Sequence, residues 1–465
     1  MKSRYIKTGM LIFALCFVKY ALIVLSPYTG DVYVSEKTRI AFSIENFYSQ
    51  HESTERVMLL EDPWDSFLHR VNLISKAKER ILIASFAIHE GETSDIIVGA
   101  LLSAADRGVD ITIIVNAIGG AVPSRYMNVL SGHDNIVVYR FNRFEFFRPQ
   151  FINAALHDKY MIVDDNLMIL GGRNMGDKYY EPEGFVGRLS LDREVLVYNT
   201  NPDINGSIVE VTYYFNSKVT SERVFLNRRV SRNIAEQKNY YINLYMKYRT
   251  NPISLYNFDY YANTTRTNRI TLITNPIDTA KKESVVAYNL MMIARNSDVI
   301  VAQSPYIVLT NRNLNFFYET IRGRDVTLST NSLASTPNLP AFSAYYVNRR
   351  NILDTGITIY EFQSIEASLH SKTYLFDGRL TAIGSFNLNE RSIRSDTESM
   401  LIIDSEEFHD IVLEAIEAQI AQSLRVGHDN RYEINSEVEA APVSLGKRIL
   451  YTSAGHLLRG FRFMF

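Results

Sequence analysis

The chain repeats itself, and that repeat constrains the fold more than any other feature. "SKAKERILIASFAI" (75–88) returns as "MIARNSDVIVAQSPYIV" (292–308), a helix end followed by an Ile- and Val-rich strand. "LLSAADRGVDITIIVNAIGG" (101–120) returns as "FFYETIRGRDVTLSTNSLAS" (316–335), a helix, a Gly-containing turn and a second strand. "NIVVYRF" (135–141) returns as "GITIYEF" (356–362). Strands alternating with helices predict a mixed β-sheet flanked by helices in each half. Duplication predicts two similar α/β domains about a pseudo-twofold axis, with a polar, Tyr- and Asn-rich segment (216–270) between them.

The repeat ends in a polar signature. "LHDKYMIVDDNLMILGGRN" (156–174) matches "LHSKTYLFDGRLTAIGSFN" (369–387). His157, Lys159, Asp164, Gly171 and Asn174 correspond offset for offset to His370, Lys372, Asp377, Gly384 and Asn387. Residues two apart on a strand share a face, so each His and Lys point the same way. One such pair on an apolar strand is ordinary surface decoration. Two copies, matched at five positions, predict a site.

A symmetric pairing brings two His, two Lys and two Asn to one centre. The Lys and Asn groups form a cationic, hydrogen-bonding cradle for a phosphate. One neutral imidazole can attack phosphorus while the other, protonated, donates to the leaving oxygen; the product is a phosphohistidine. The second His then activates an alcohol or water. No carboxylate-rich shell accompanies either motif, so neither a catalytic metal nor another cofactor is expected.

Each His needs an orienting acceptor. Aligning "DREVLV" with "ESMLII" makes Asp192 and Glu398 the candidates. Asp164 and Asp377 belong to the catalytic signature, with the expected work of fixing the turn after the strand. Gly172 and Ser385 allow a close turn, and His89, Asn116 and Asn331 end strands where they could line the pocket. His51, His69, His133, His409, His428 and His456 have no matched partners and are expected at the surface.

Composition narrows the partner. Among 465 residues the formal net charge is −2, which gives no broad field to attract nucleic acid. The single cysteine, Cys16, excludes an intrachain disulfide. Residues 1–8 are basic and precede an apolar segment (9–27) interrupted by Lys19; it reads as a membrane anchor or a signal segment, with the anchor favoured. Lys2, Arg4 and Lys7 before the segment place the catalytic part on the non-cytoplasmic side. The tail (426–465) ends in "GKRILYTSAGHLLRGFRFMF", basic and aromatic, which suits either an anionic lipid surface or packing on its own domain.

The duplicated His-x-Lys-x4-Asp signature resembles the phospholipase D superfamily. "GGRNMGDKYY" (171–180), "SPYIV" (304–308), "TNSLAST" (330–336) and "GSFNLNERS" (384–392) resemble its bacterial cardiolipin synthase branch. "AFSAYYVNRR" (341–350) resembles a further segment of that branch, with Ser343 in place of its His. The resemblance implies two phospholipase D-like domains, here 55–215 and 271–425. It implies His157 as nucleophile, His370 as acid and base, and phosphatidyl transfer between phospholipids at a bacterial inner membrane or in the periplasm. Phosphatidylglycerol is the implied substrate, with phosphatidylethanolamine a second candidate. A hydrolytic phospholipase D, a nuclease of the same superfamily and a lipid-binding scaffold with a dead site are the other readings. Asp158 and Phe86-Ala87 depart from the branch pattern and bear on acceptor choice.

Overall fold

The computed structural model describes residues 2–120, 122–230, 232–250 and 257–464. In the first half lie β1 (Glu55–Leu60), β2 (Arg80–Ser85), β3 (Asp110–Asn116), β4 (Ile136–Phe141), β5 (Tyr160–Val163), β6 (Leu167–Gly171), β7 (Leu189–Leu191), β8 (Glu194–Asn199), β9 (Val224–Leu226) and β10 (Thr265–Arg266). In the second lie β11 (Arg269–Thr274), β12 (Val299–Gln303), β13 (Ile307–Val308), β14 (Asp325–Asn331), β15 (Thr358–Phe362), β16 (Ala367–Leu369), β17 (Thr373–Phe376), β18 (Leu380–Gly384), β19 (Leu388–Asn389), β20 (Ser399–Asp404) and β21 (Ser423–Val426).

The first sheet runs β10-β1-β8-β6-β5-β2-β3-β4-β9 and the second β11-β20-β18-β17-β12-β14-β15-β21. Apart from the extra edge strand β10, the two orders superimpose strand for strand. In each, three central strands are parallel (β2-β3-β4; β12-β14-β15) and the others antiparallel. The parallel strands are continuous apolar runs because both faces are covered. One face carries the outer helices. The other face meets the opposite sheet, so Val57, Leu82, Ile162 and Val195 share an apolar cluster with Ile270, Leu375, Ile383 and Leu401. The duplication is thus a face-to-face pair of α/β domains, and the loops at the same end of both sheets converge.

Segment 216–270, apart from residues 231 and 251–256, which lie outside the described residues, is more than a connection. It contributes β9 and β10 to the first sheet, and its helix Ile234–Arg249 covers the helix Glu92–Asp106. Gly99 permits this approach, since a Cβ there would sit 2.1 Å from the Tyr241 carbonyl. The buried side is made of Tyr241 and Tyr245, so the segment's polar composition concealed an apolar stripe.

Two His residues expected at the surface are buried. His69 is 4 % and His409 5 % exposed. His69 lies against the rings of Phe258 and Tyr260, and burial lowers its pKa to about 4. An aromatic loop distant in sequence covers it, which no local pattern announces.

The helix Lys2–Leu25 is long and apolar enough to cross a membrane, with mean hydropathy 2.2 over its most apolar window. The arm after it is tied to the second half: Ser35 and Thr38 bond Glu283, Lys281 donates to the Thr29 carbonyl, and Arg394 donates to the Gly30 carbonyl. In the tail, the helix Leu445–Leu457 packs on the helix Leu339–Leu353, with Gly455 against the Ser343 backbone and Tyr451 against Phe342. Lys447 donates to the Ala334 carbonyl and Arg462 to Asn311, so two of the four Lys and Arg residues in 446–465 serve the fold.

Candidate functional site

The motif strands begin where the two halves touch. Leu156 bridges Thr397, and Leu369 pairs with Leu191 at the end of the β7–β16 ladder. Each His therefore follows a residue paired with the other half, and each partner residue precedes an acid. The result is a crossed arrangement. His157 Nδ1 lies 3.0 and 3.1 Å from the Glu398 carboxylate, while His370 Nδ1 bonds Asp192. Each acid lies in the half opposite its His. With Nδ1–H donating to the acid, each ring keeps Nε2 for chemistry.

Asn116 and Asn331 set these strands in place symmetrically. The Asn116 side-chain oxygen accepts from the Leu156 amide at 2.9 Å, and that of Asn331 from the Leu369 amide at 2.9 Å. They grip the residue before each His rather than face the pocket. Asp164 and Asp377 lie elsewhere. Each has φ near +48° and accepts backbone amides at the start of the neighbouring strand: Lys78, Glu79 and Arg80 for Asp164, Asp298 and Val299 for Asp377. Each sits past the far end of its motif strand, seven residues from its His. At about 3.3 Å per residue that is too far to touch a shared phosphate. Although they belong to the sequence signature, their place is structural.

The cradle itself is polar and enclosed. His157 is 9 %, Lys159 2 % and Lys372 1 % exposed. Each Lys donates to the carbonyl of the His two residues before it. Burial lowers Lys159 to about 8; burial, with the charge of Lys159 and against the pull of Asp192, lowers Lys372 to about 7. Burial, followed by Lys372, pushes His370 down to about 3; burial and Lys159 push His157 down as well. The acids diverge. Burial raises Glu398 to about 8 against the pull of Lys159, whereas Lys372 and His370 overcome burial at Asp192 and hold it well below the usual carboxylate range. Asn174 and Asn387 are 4 % exposed, and the side-chain oxygen of each is buried without a hydrogen-bond partner. Buried orphans of this kind are costly, and each Asn lies three residues past the Gly that ends its motif strands, Gly171 or Gly384. A donor brought by a ligand, such as a protonated oxygen or a bridging water, would satisfy them.

Gly172 is required by contact. A Cβ there would sit 2.3 Å from Asp192 Oδ1 and 3.0 Å from the Lys372 side chain. Its counterpart Ser385 instead donates to Glu398. His89 is half-buried and stacks on Tyr179 at 6.0 Å, and Tyr179 in turn meets the His370 ring at 5.7 Å. His89 thus lies one ring away from the pair.

Several contacts escaped the sequence reading. Phe86 meets His157 edge-on at 5.4 Å and lies 5.3 Å from Lys159 Nζ; Tyr306 meets His370 at 6.3 Å. Phe86 and Tyr306 lie just past the matched strands β2 and β12, which was the available signal. Arg173, 1 % exposed, donates to the Tyr179 and Asp192 carbonyls and pairs with Glu194, so it fixes the acid's backbone. Asp158, the departure inside the first motif, is buried against Lys218 at 3.2 Å and accepts from Thr397. The Thr397 bond ties the first motif to the second half.

His157, Asp396 and Glu398 bring three potential metal ligands within 4.8 Å of one another. Their acids are already engaged: Asp396 holds Arg391 at 3.1 Å and the Ala155 amide at 3.2 Å, and Glu398 holds His157 and Ser385. Turnover is therefore expected to persist in EDTA. Loss of activity that returns with Mg²⁺ or Zn²⁺ would show that this cluster takes an ion.

Known proteins share this chain's sequence pattern and fold. The family described as "Cardiolipin synthase, PLD-like domain" matches residues 71–217 and 290–420. A Helicobacter pylori (strain ATCC 700392 / 26695) protein of uncharacterized function is 27 % identical over 430 residues, 82 % of each chain. Cardiolipin synthase C of Escherichia coli (strain K12) is 25 % identical over 407 residues, covering 79 % of this chain and 85 % of that one. The phosphatidylserine synthase structure from Haemophilus influenzae Rd KW20 superimposes with a TM-score of 0.62 at 13 % identity, over 92 % of this chain and all of that one, which shows a shared fold. With both motif copies inside the matched ranges, the chain belongs to the cardiolipin synthase, phospholipase D-like domain family.

Proposed function

We propose that the protein is a phosphatidyltransferase that acts on membrane phospholipids through a phosphohistidine, with cardiolipin synthase-like headgroup exchange as its reaction. The crossed His–acid pairs around two buried lysines and two unpartnered Asn oxygens carry this reading. Cardiolipin synthases among the relatives support the substrate class.

In this scheme the diester phosphate sits on Lys159 and Lys372. His157, with Nδ1–H held by Glu398, attacks phosphorus through Nε2. The bond to the leaving alcohol breaks, and that oxygen takes the proton from His370. The ionised Asp192 and the diester's own charge support the imidazolium that burial and Lys372 disfavour. His370, now neutral, removes a proton from the incoming alcohol, which displaces His157. The lysines stabilise charge on the phosphoryl oxygens in both steps. Incubation with phosphatidylglycerol, with and without phosphatidylethanolamine, followed by mass spectrometry of the products, tests the reading. Cardiolipin with released glycerol or ethanolamine supports transfer; phosphatidic acid alone assigns water as acceptor and overturns it.

The lysines set the pH dependence. Each must be protonated to hold the anion and keeps its proton only below its own pKa, about 7 for Lys372 and about 8 for Lys159. We expect the lysines to add a fall in kcat/KM as pH rises through this range, on top of the limbs set by His370 at about 3 and Glu398 at about 8. Lys159→Ala and Lys372→Ala should each lower kcat by roughly 10²–10³, the loss typical of a missing oxyanion donor. An alkaline limb unchanged in Lys372→Arg, whose guanidinium stays charged, would remove Lys372 as its source.

The N-terminal helix is assigned as an anchor with the catalytic domains on the non-cytoplasmic side. Lys2, Arg4 and Lys7 ahead of the apolar run support this orientation. A C-terminal reporter after Phe465 should be active only when exported, and cytoplasmic activity would reverse the assignment.

A further inference from the structure

The two halves differ where each chain enters its motif. Fourteen residues (142–155) separate β4 from Leu156, but only six (363–368) separate β15 from Leu369. The longer loop contains "RFEFFR" (143–148), and its three Phe rings face outward. Phe144 is 55 %, Phe146 63 % and Phe147 92 % exposed. Three adjacent exposed rings form an apolar patch rather than the scattered apolar residues normal on a surface.

The base of this loop is built, not loose. Asn142, at φ +59°, donates to the Phe151 carbonyl at 2.6 Å and accepts from Arg223 at 2.6 Å. Arg223 also pairs with Glu145 at 3.3 Å, and its guanidinium lies 3.9 Å from the Phe151 ring. Glu145, the loop's one acid, is thereby turned to the base. Arg143 lies over Phe225 at 3.9 Å and Arg148 over Phe151 at 4.8 Å. The fold thus spends its polar contacts on holding the loop while it presents the rings to solvent.

The N-terminal helix indicates what covers those rings. Its side chains are exposed from Tyr5 through Lys19, become partly covered from Tyr20, and end with Pro27 and Tyr28 buried. Phe146 meets Tyr20 at 5.4 Å, at the point where the cover begins. Fifteen exposed residues rise about 22 Å at 1.5 Å each, whereas the hydrocarbon core is about 30 Å thick. Lys2 and Arg4 ahead of this stretch are charged, so its apolar length falls short of that thickness. The missing depth lies beside Tyr20 and the Phe rings, and Lys19 then falls near the interface, where a lysine can reach the headgroups.

Resting on the anchor reading above, we infer that the 143–148 loop is a wedge seated in the leaflet on the catalytic side, with Phe144, Phe146 and Phe147 at the headgroup–acyl boundary of the bilayer. The loop runs on through Ala155 and Leu156 to His157, so seating it would hold the entrance to the cradle at the depth of lipid phosphates.

Depth can be measured without activity. Trp64 is the single tryptophan. The full-length chain carrying Trp64→Phe and Phe147→Trp is reconstituted in phosphatidylglycerol–phosphatidylethanolamine vesicles, with lipids brominated near the headgroup end or the methyl end of the acyl chain. Emission should be blue-shifted and lose about half its intensity to the shallow bromines, with less quenching by the deep ones, as for a side chain about 5–10 Å into the boundary. Unquenched, red emission would overturn the inference. Blue-shifted but unquenched emission would also overturn it, by assigning the rings to a protein partner or a second copy. If Trp64→Phe does not fold, Phe147→Cys in a Cys16→Ser chain, labelled with a polarity-sensitive fluorophore, reads the same depth. Quenching without lipid products would leave the wedge standing and remove the proposed reaction; products without quenching would do the reverse.

Discussion

His157→Ala forms no covalent adduct on any substrate, whereas His370→Ala still forms one and then stalls. The asymmetry follows from the proposed roles. Without the His157 Nε2 lone pair nothing attacks phosphorus, and the rate should fall by on the order of 10⁶, as when a hydrolase loses its nucleophile. His370→Ala loses the acid, which a good leaving group does not need. On a p-nitrophenyl phosphodiester it should therefore release one equivalent of nitrophenol and retain the phosphoryl group on His157, since no base activates the acceptor. Rapid quench followed by peptide mapping checks both statements. An adduct mapped to His370 reverses the roles, and no adduct in the unaltered chain under any condition replaces the two-step scheme with direct displacement.

The second large effect concerns the acids. Because Glu398 bonds His157 and Asp192 bonds His370, each acid's removal should reproduce the defect of the His in the opposite half. Glu398→Gln is expected to depress adduct formation by roughly 10³–10⁴, the scale on which a triad loses its orienting acid. Asp192→Asn should let the adduct form on the activated substrate and slow its breakdown. Single-turnover kinetics separate the two steps. If Asp192→Asn blocked the first step and Glu398→Gln the second, the pairing would be the wrong way round in function, whatever its geometry. The large difference between the two carboxyls sharpens this test. Asp192 stays ionised beside His370, but burial raises Glu398 to about 8. The His157–Glu398 proton is thus the more easily moved, and substitution there should alter the pH profile of the first step most.

The sequence was most informative where its pattern was duplicated. A mixed, helix-flanked sheet in each half and the pairing of His157 and Lys159 with His370 and Lys372 were legible, because period-two alternation and matched offsets fix which side chains share a face. Asp192 and Glu398 were legible as acids that open apolar strands. Segment 216–270 was misleading because tyrosines supplied its buried stripe, and His69 because its cover comes from a loop almost two hundred residues away.

By itself, then, the sequence determined a duplicated α/β fold and the residue types of the paired His–Lys site, since both are written in local spacing. Tertiary structure alone decided which acid serves which His, because that pairing is made by Leu156 meeting Thr397 and Leu369 meeting Leu191 across the two halves. It also put Asp164 and Asp377 on turns at the far ends of the motif strands and left the Asn174 and Asn387 oxygens buried without a partner. Spacing along one chain sets the face a side chain shares; the packing of one sheet on the other sets what it touches.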